Sequence, residues 1–432
     1  MPVKELHIRY SDPQDDIKGQ DLTSEIKRTL GIETLGDIRT TKAYRVEGAT
    51  DEEVATLTEK LFCEGINQEA SINRPFPTIS FHTSEIGYLP GVMNPEVTSI
   101  LKAAKDLKIR LDAADSSTLY EFFGDLSDKE IKTILDRLLI NKTVQREITE
   151  KPETLIISGY SGPVAKVPIR EASEEELMQI SKDALFLNAI EMQTIKKHFQ
   201  ELGRDPTDAE LEIIAGRWSE HCGHKTFRAN LIVYGIEKPP LYNRIKQTAR
   251  KYFGEDVLSA FNDNSGVISF YEGQAICGKV ETHNSPSAIE PYGGAMTGSG
   301  GVFRDIMGTG QGAKVISSTD MFCFGPQDLP YEKLPQGCLH PSYIQRNVIY
   351  GVRDYGNRMG IPTNNGSIHY DNDFRAKPTV IVGAYGVLPA DKAQKGSPEV
   401  GDLVVALGGR TGRDGIHGAT FSSGEMTEKT IS

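Results

Sequence analysis

A charged segment that runs directly into a glycine-rich segment, residues 279–314, constrains the fold of this chain more than any other feature. Its sequence is KVETHNSPSAIEPYGGAMTGSGGVFRDIMGTGQGAK. Because side chains alternate between the two faces of a β-strand, Lys279, Glu281 and His283 are predicted to share one face. An ammonium group can neutralise phosphate oxygens, a carboxylate suits Mg²⁺, and an imidazole can transfer a proton near neutral pH. The segment therefore predicts a nucleotide site.

The glycines of this segment predict a loop that approaches a polyphosphate closely. Eight of the 20 residues from Gly293 to Gly312 are glycine, which leaves backbone N–H groups unobstructed by Cβ atoms. Arg304 and Asp305 add a second cation and a second candidate metal ligand. The alternative is a set of irregular turns beside a solvated strand face. The spacing matches neither GxxxxGK[ST] nor GxGxxG, so the two commonest phosphate-binding motifs are excluded.

Length, charge and cysteine content limit the function classes. The 432 residues suffice for two to four domains, and the formal net charge of −12 disfavours a nucleic-acid binder. The five cysteines are scattered and lack CxxC spacing, which favours a reducing compartment. The N-terminus lacks an apolar signal core, and the longest apolar run, 379–388, is shorter than the ~20 residues that span a bilayer. We therefore expect a cytoplasmic enzyme without a membrane or nucleic-acid partner.

A weak internal repeat lies in residues 1–150. Residues 40–72 and 116–148 each show the pattern of an alternating strand, a turn, an amphipathic helix and a short strand, with a further helix upstream of each copy. The pattern predicts a duplicated α+β domain whose two sheets pack against each other, with a scaffold or docking role. The alternative is that any two strand–turn–helix stretches look alike.

Capped helices are predicted after a linker rich in Pro, Gly and Ser. Capping boxes are predicted at Ser173 with Glu176, Asn188 with Glu191, and Thr207 with Glu210. The apolar line Leu211, Ile214 and Trp218 continues to His221, which is predicted to be either a structural histidine or one that points into a cleft. The cluster His221, Cys222 and His224 also allows a metal site, but no matching pair of ligands occurs elsewhere.

From about residue 229 strands alternate with helices, which indicates an α/β domain. The last 34 residues, 399–432, begin a further unit with too few residues to close a core. The predicted fold class is thus a multidomain α+β and α/β protein. It has a duplicated small N-terminal domain, a helical linker, an α/β domain and the start of another.

Four stretches of the sequence resemble phosphoribosylformylglycinamidine synthase, an ATP-dependent enzyme of purine biosynthesis. They are GRDPTDAELEIIAGRWSEHCGHK, KVETHNSPSAIEPYGG, GSGGVFRDI and GGRTGRDGIHGATF. The resemblance implies four parts. They are an accessory-subunit-like duplicated domain at 1–150, a linker with helices at 151–210, a domain like aminoimidazole ribonucleotide synthetase at 211–390, and the start of the next α/β domain at 399–432.

The same resemblance implies roles for individual residues. The implied catalytic residues are His221 and His283; the ATP-binding residues are His224, Lys279, Gly300 and Gly301; the substrate-binding residues are Thr282, His283, Asn284, Ser285 and Arg304; the Mg²⁺ ligands are Glu281 and Asp305. Two positions depart from the family pattern. Ser285 replaces the second histidine of ETHNHP, and His224 stands where the shorter form of the enzyme has tyrosine.

The resemblance also implies an activity with its cofactors and partners. Formylglycinamide ribonucleotide, ATP and ammonia would give formylglycinamidine ribonucleotide, ADP and phosphate through an iminophosphate, with Mg²⁺ as cofactor. A glutaminase subunit would supply the ammonia, and the missing C-terminal half or a second copy of the chain would complete the site.

Two alternatives remain open from the sequence. One is another enzyme of the same superfamily, aminoimidazole ribonucleotide or selenophosphate synthetase, which the RWSEHC stretch and the duplicated domain disfavour. The other is an incomplete half-enzyme or scaffold that binds nucleotide or partner subunits without turnover.

Overall fold

The structure, a computed structural model, describes residues 2–142, 144–156, 164–182 and 184–408. Most of the further unit predicted at 399–432, including the stretch GGRTGRDGIHGATF, therefore lies outside the described residues. Among the described residues, every helix is too short or too polar to cross a bilayer.

The N-terminal unit is one antiparallel sheet with helices against it, and its two halves have the same order of elements. The elements are β1 (Lys4–Tyr10), α1 (Ile17–Leu30), β2 (Leu35–Glu47), α2 (Asp51–Leu57), β3 (Gln68–Ile72), β4 (His82–Tyr88), α3 (Val97–Asp106), β5 (Ala113–Gly124), α4 (Asp128–Ile134) and β6 (Gln145–Glu147). The strand order is β3-β1-β2-β5-β4-β6. The expectation of two sheets packed face to face is wrong, because β2 pairs with β5 and joins the halves edge to edge.

Local sequence explains why the halves look alike. The side chain of Thr50 caps α2 through the N–H of Glu53, and the side chain of Ser127 caps α4 through the N–H of Glu130. A π-helical turn follows each of these helices. Two apolar clusters form under the helices, and each combines a helix from both halves: α1 with α4 around Ile26 and Phe122, and α2 with α3 around Leu6 and Val54. The origin of the halves in a duplication stays a prediction.

Three helices form the linker and have a small core of their own. They are α5 (Glu174–Ser181), α6 (Ala189–Glu201) and α7 (Asp208–Trp218). The three predicted capping boxes are confirmed, at N-cap residues Ser173, Asn188 and Thr207. Leu177, Met192, Ile195, Phe199 and Leu211 are buried together. Apolar side chains of all three helices therefore pack against one another, although Trp218 of the predicted line Leu211, Ile214 and Trp218 is 39% exposed.

Short elements connect the linker to the second sheet. They are α8 (Glu220–Gly223), α9 (Lys225–Arg228), β7 (Leu231–Val233), β8 (Ile236–Lys238) and α10 (Leu241–Phe253). The strands β7 and β8 form a two-stranded sheet, and none of the residues of α10 is buried.

The second unit is a six-stranded sheet with two long helices on one face. Its elements are β9 (Val257–Ser259), β10 (Gly266–Ser269), β11 (Gln274–Thr282), α11 (Asn284–Ile289), α12 (Pro291–Met307), β12 (Lys314–Phe324), α13 (Pro341–Met359), β13 (Thr363–Tyr370) and β14 (Thr379–Pro389). The strand order is β13-β12-β14-β11-β10-β9. Val302, Phe303 and Ile306 of α12 pack with Val348 of α13 over the strands. The opposite face exposes apolar side chains, Val280 among them at 63%.

The expected glycine-rich loop is wrong, because most of it forms α12. Glycine weakens an isolated helix by about 1 kcal/mol relative to alanine. Here the missing side chains let other elements approach the helix. A Cβ at Gly294 would lie 2.6 Å from the carbonyl carbon of Pro286 in α11, and a Cβ at Gly300 would lie 2.8 Å from the Tyr355 hydroxyl oxygen in α13. Tertiary packing thus overrides the local preference for a loop.

A buried carboxylate joins the N-terminal unit to the second unit. Glu25 of α1 accepts hydrogen bonds from the Ser342 hydroxyl at 2.9 Å and from Nη2 of Arg346 at 2.6 Å, both in α13. His340 caps the same helix by accepting from the N–H of Ser342. Asn141 donates to the carbonyl oxygen of Ile289 at 2.8 Å, at the last residue of α11. The N-terminal unit therefore contacts two helices of the second unit directly.

Removing the guanidinium of Arg346 should destabilise the junction of the two units. The Glu25 side chain is only 6% exposed, whereas that of Arg346 is 40% exposed, so the Arg346→Ala substitution should lower the free energy of unfolding by about 1–2 kcal/mol. Urea unfolding followed by circular dichroism measures this loss. The control is Arg353→Ala, which removes an exposed guanidinium paired with Asp354 and should cost much less stability. Equal losses for the two variants would contradict the role of Glu25.

Candidate functional site

The centre of the candidate site is a lysine between two carboxylates. Lys279 and Glu281 lie two residues apart on β11, and Asp305 comes from α12, which covers that face of the strand. Nζ of Lys279 lies 3.0 Å from Oε2 of Glu281 and 3.2 Å from Oδ2 of Asp305. The two carboxylates that the sequence assigned to metal binding thus converge on one ammonium group, although 24 residues separate them.

The electrostatics of this group follow from partial burial and close pairing. Burial alone would lower the pKa of Lys279, but the hydrogen bonds and charges of Glu281 and Asp305 outweigh it and raise that pKa. Lys279 is therefore cationic at neutral pH. Arg304 also contacts Asp305, at 3.2 Å, although its side chain is 79% exposed.

His283 lies one residue beyond the strand, and its ring packs against α12, the helix that covers the face of Lys279 and Glu281. β11 ends at Thr282, and the backbone of His283 turns with φ −127° and ψ 53°. Its N–H donates to the carbonyl oxygen of Val380 at 2.9 Å. A Cβ at Gly298 would lie 3.2 Å from Cδ2 of His283. The absence of a side chain at this glycine therefore lets the imidazole ring pack directly against α12.

The imidazole of His283 is poised to accept a proton. Burial lowers its pKa, the carboxylate of Glu281 partly opposes that effect, and the charge of His221 lowers the pKa further. Nδ1 is buried and has no hydrogen-bond partner among the described residues. The two predicted catalytic histidines are therefore close enough to interact electrostatically.

His221 lies close enough to His283 to affect its pKa, but it is carried by a different element from the one predicted. The helix α7 ends at Trp218, and Ser219 has an extended backbone with ψ 154°. His221 therefore belongs to the short helix α8 and does not continue the apolar stripe of α7, so that expectation is wrong. His224 follows in the left-handed region with φ 50° and is exposed to solvent.

Gly300 and Gly301, which the resemblance assigned to ATP, lie in the middle of α12. Backbone N–H groups in a helix interior donate to carbonyl groups four residues earlier and are not available to a phosphate. These two N–H groups are therefore not part of a phosphate-binding loop, and the assignment of Gly300 and Gly301 to ATP stays a prediction. The structure instead uses Gly300 to bring Tyr355 against the helix.

Four of the five residues assigned to substrate binding, Thr282 to Ser285, lie around the end of β11, whereas Arg304 lies on α12. Oδ1 of Asn284 accepts from the N–H of Val380 at 2.8 Å, so this side chain fixes the turn between β11 and α11 to β14. Thr282 is exposed at the end of the strand, and Ser285 is half-buried in α11. These residues are close in sequence to Glu281, and the turn places them beside His283.

Asp320 is a buried carboxylate of the second sheet that the sequence reasoning did not select. It lies on β12, is 6% exposed, and accepts from the Thr363 hydroxyl at 3.1 Å through Oδ2, while Oδ1 has no partner among the described residues. Burial raises its pKa to about 6. The signal in the sequence was a single carboxylate in a strand that otherwise lacks acidic residues, KVISSTDMFCF.

The donor set fits a divalent cation that also binds phosphate. Mg²⁺ is usually held by one or two carboxylates together with water and substrate phosphates. Glu281 and Asp305 supply two carboxylates from different elements, and Lys279 supplies a positive charge between them. Among the described residues there is no group of three or more His, Cys, Asp or Glu side chains that could hold a metal. Further ligands to such a cation would come from the nucleotide and from water.

Two protein families have models that match parts of this chain. Residues 177–225 match the formylglycinamide ribonucleotide amidotransferase linker domain. Residues 262–388 match the N-terminal domain of the AIR synthase related proteins, so they include Lys279, His283 and Asp305. The resemblance to phosphoribosylformylglycinamidine synthase is confirmed.

Curated relatives agree with these matches. The chain is 38% identical over 272 residues to phosphoribosylformylglycinamidine synthase subunit PurL of Thermoplasma acidophilum, which is 62% of this chain and 33% of that protein. It is 37% identical over 263 residues to the subunit of the same name from Thermoplasma volcanium, 60% of this chain and 32% of that protein. The chain thus spans about a third of the length of the curated relatives it matches.

Solved structures of PurL from T. maritima are also similar to this chain. One, complexed with FGAR, is 31% identical, covers 52% of this chain and 31% of its own, and has a TM-score of 0.35. Another, complexed with ATP, is 30% identical, covers 44% of this chain and 26% of its own, and has a TM-score of 0.30.

Ionisation of Asp320 should make the stability of the chain depend on pH. Because the pKa of this carboxyl rises from 3.8 to about 6 on folding, its contribution to stability is complete below about pH 4 and is lost as the pH rises through 6. An amide cannot ionise. The Asp320→Asn variant should therefore gain about 2 kcal/mol relative to the wild type between pH 4 and pH 7.

Urea unfolding of both proteins at several pH values measures this difference. Thr363→Val removes the hydrogen bond that lowers the pKa of Asp320, so in this variant the loss of stability should extend to higher pH. Parallel pH profiles for Asp320→Asn and the wild type would show that the carboxyl group does not change its ionisation on folding.

Proposed function

We propose that this chain takes part in the ATP-dependent conversion of formylglycinamide ribonucleotide and ammonia to formylglycinamidine ribonucleotide, ADP and phosphate. The observation that carries the proposal is the convergence of Glu281 and Asp305 on Lys279, with His283 at the end of the same strand. The sequence similarity to PurL synthase subunits supports the same activity. ATP complexes of PurL from T. maritima support ATP as the nucleotide.

The proposed mechanism begins with activation of an amide. Amides are poor electrophiles, so the formylglycinamide oxygen first takes the γ-phosphoryl group of ATP. Lys279 offsets the negative charge that spreads over the phosphoryl oxygens during transfer. Glu281 and Asp305 would hold Mg²⁺, which neutralises further charge on the phosphates when it is bound. Ammonia then attacks the iminophosphate carbon, and phosphate leaves.

The histidines would handle the protons of the second step. His283 has a depressed pKa and an unpaired Nδ1, so it is neutral at pH 7 and can accept a proton from the attacking ammonia. His221, whose charge acts on His283, would stabilise the iminophosphate or exchange that proton. We assign His224 to the nucleotide, and Thr282, Asn284, Ser285 and Arg304 to the substrate. The exposed guanidinium of Arg304 suits a phosphate or carbonyl oxygen.

The rest of the organisation is proposed as follows. Residues 1–150 would form an accessory-subunit-like domain of duplicated origin, 151–210 a linker, 211–390 the nucleotide and substrate domain, and 399–432 the start of a further domain. Ammonia would come from a glutaminase subunit, in line with the complex of T. maritima described as PurLQS. The parts of the relatives that this chain does not span, or a second copy, would complete the site. The similarity to synthase subunits does not favour a half-enzyme or scaffold without turnover.

Formation of ADP tests the proposed activity. We expect ADP to form only when formylglycinamide ribonucleotide and ammonia are both present, with the chain tested alone and together with the parts of the relatives that it does not span. Nucleotide binding without turnover under both conditions would favour the scaffold alternative.

Removing the charge of Glu281 should weaken the binding of Mg²⁺ with the nucleotide. The Glu281→Gln variant should lose about tenfold or more in Mg²⁺-dependent ATP affinity, because a carboxylate ligand of a hard cation becomes a neutral amide. Isothermal titration with a non-hydrolysable ATP analogue, with and without Mg²⁺, measures the change. The control Glu255→Gln removes an exposed carboxylate after α10 and should leave the affinity unchanged. Equal affinities for the two variants would argue against a metal at Glu281.

Removing the imidazole of His283 should lower turnover and leave the fold intact. A general base contributes roughly 10²-fold or more, so the His283→Ala variant should lose about that factor in kcat in the ADP assay. The matched control is His198→Ala, which removes an exposed histidine of the linker helix α6. Unchanged turnover in the His283→Ala variant would refute the role of this residue.

A further inference from the structure

A cavity lies where the two units meet, and the paired side chains of the candidate site are not part of its lining. Its volume is about 1080 Å³, and it lies between the sheet of the N-terminal unit and the helix α13. Lys42, Thr118 and Tyr120 of the central strands form one wall, while Tyr343 and Tyr350 of α13 lie on the other. Lys279, Glu281 and Asp305 do not line it. The cavity is thus separate from the proposed nucleotide and substrate site.

Tyrosine hydroxyls are the main polar groups of this cavity that lack a protein partner. Five tyrosines that line it make no hydrogen bond through their hydroxyl groups with any residue that the structure describes: Tyr44, Tyr88, Tyr120, Tyr343 and Tyr350. Burial raises the pKa of Tyr44 and of Tyr88 to about 12, so these phenols keep their protons. Tyr44, Tyr88 and Tyr343 are half-buried, Tyr120 is buried and Tyr350 is exposed, so their hydroxyl groups can take water or a ligand as a partner. Their rings also offer flat apolar surfaces.

Several charged groups of the cavity already have a counter-charge. Nζ of Lys42 lies 2.8 Å from a carboxylate oxygen of Glu96, and Asp354 is paired with Arg353 at 2.7 Å. Arg346 is paired with the buried Glu25. These groups therefore bring little net charge to a ligand.

The remaining cations lie at the rim. Lys18 and Arg358 are exposed and form no ion pair with a described residue. Nζ of Lys18 lies 5.2 Å from the ring centroid of Tyr120 and 3.4 Å from the Thr118 hydroxyl oxygen. Asp21 and Glu290 are the other carboxyl groups of the lining, and burial raises the pKa of Glu290 toward its neutral form. The rim therefore favours a negative group, and the interior favours a neutral one.

We propose that this cavity binds a nucleoside monophosphate, with the base against the tyrosine rings, the ribose hydroxyls on the phenols, and the phosphate between Lys18 and Arg358. The ligand needs a flat aromatic part, hydroxyl groups and an anionic end, and this class carries all three. The cavity exceeds the 300–1,000 Å³ that small-molecule sites commonly occupy, so water would fill the rest.

Such a ligand would connect the two units. It would contact α1, β2 and β5 of the N-terminal unit and α13 of the second unit at once. Because it binds only when these surfaces are apposed, it would stabilise their junction by mass action. The N-terminal unit would then carry a regulatory site in addition to its proposed docking role.

Titration calorimetry of the whole chain with adenosine 5′-monophosphate tests this inference. The Tyr350→Ala variant should bind this probe about tenfold more weakly through loss of a ring contact. The Lys18→Gln variant should bind it several-fold more weakly and with a smaller dependence on salt. Both residues are exposed in part or in full, so the substitutions leave the core unchanged. Adenosine and inorganic phosphate, titrated separately, should each bind more weakly than the monophosphate.

Matched controls separate this cavity from the candidate site. Tyr370→Ala, at an exposed tyrosine of β13, and Lys102→Gln, at an exposed lysine of α3, should leave the affinity for the probe unchanged. Lys279→Met should do the same, because Lys279 lies outside the cavity.

No binding of the monophosphate at millimolar concentration would overturn the inference. So would binding that Lys279→Met abolishes, or binding that Tyr350→Ala and Lys18→Gln leave intact. Inorganic phosphate that binds as tightly as the monophosphate would overturn the nucleoside assignment.

Discussion

The half-buried ammonium of Lys279 between Glu281 and Asp305 holds the site together. Two carboxylates in one partly buried place would repel each other, and a divalent cation or an ammonium group between them removes that repulsion. Here the lysine joins β11 to α12, which are consecutive layers of the second unit. A nucleotide with its cation would provide positive charge for the carboxylates and phosphate oxygens for the lysine. The same three groups can therefore exist in two arrangements, one internally paired and one paired with ligand.

The N-terminal unit takes part in this arrangement through the helices that it contacts. Asn141 bonds the end of α11, a helix that starts one residue after His283, and Glu25 bonds the start of α13, which packs on α12. The turn that carries His283 and the helix that carries Asp305 are therefore both held from the side of the N-terminal sheet. A helix–helix contact of this kind fixes relative positions because packed interiors deform little.

Sequence patterns that depend on a few neighbouring residues predicted the structure most reliably. The capping boxes at Ser173, Asn188 and Thr207 place helix starts correctly, because a capping box depends only on residues three apart. Glycines 293–301 pointed to a loop because glycine is a poor helix former, and only the approach of α11 and α13 explains their presence in a helix. Likewise, the pairing of β2 with β5 joins strands far apart in the sequence, so the alternating pattern of each strand gave no information about it. The break at Ser219 was missed because the apolar spacing continues across it.

The glycines of α12 leave the site little tolerance for change. Gly294 and Gly300 meet the backbone of α11 and the phenol of Tyr355 at distances too short for a methyl group, and Gly298 meets the ring of His283 at a distance where a methyl group would be tight. An alanine at Gly294 would press against the backbone of α11 and displace α12, the helix that carries Asp305. Substitution at these positions is thus restricted by the packing of α12 itself and not by the charged side chains of the site.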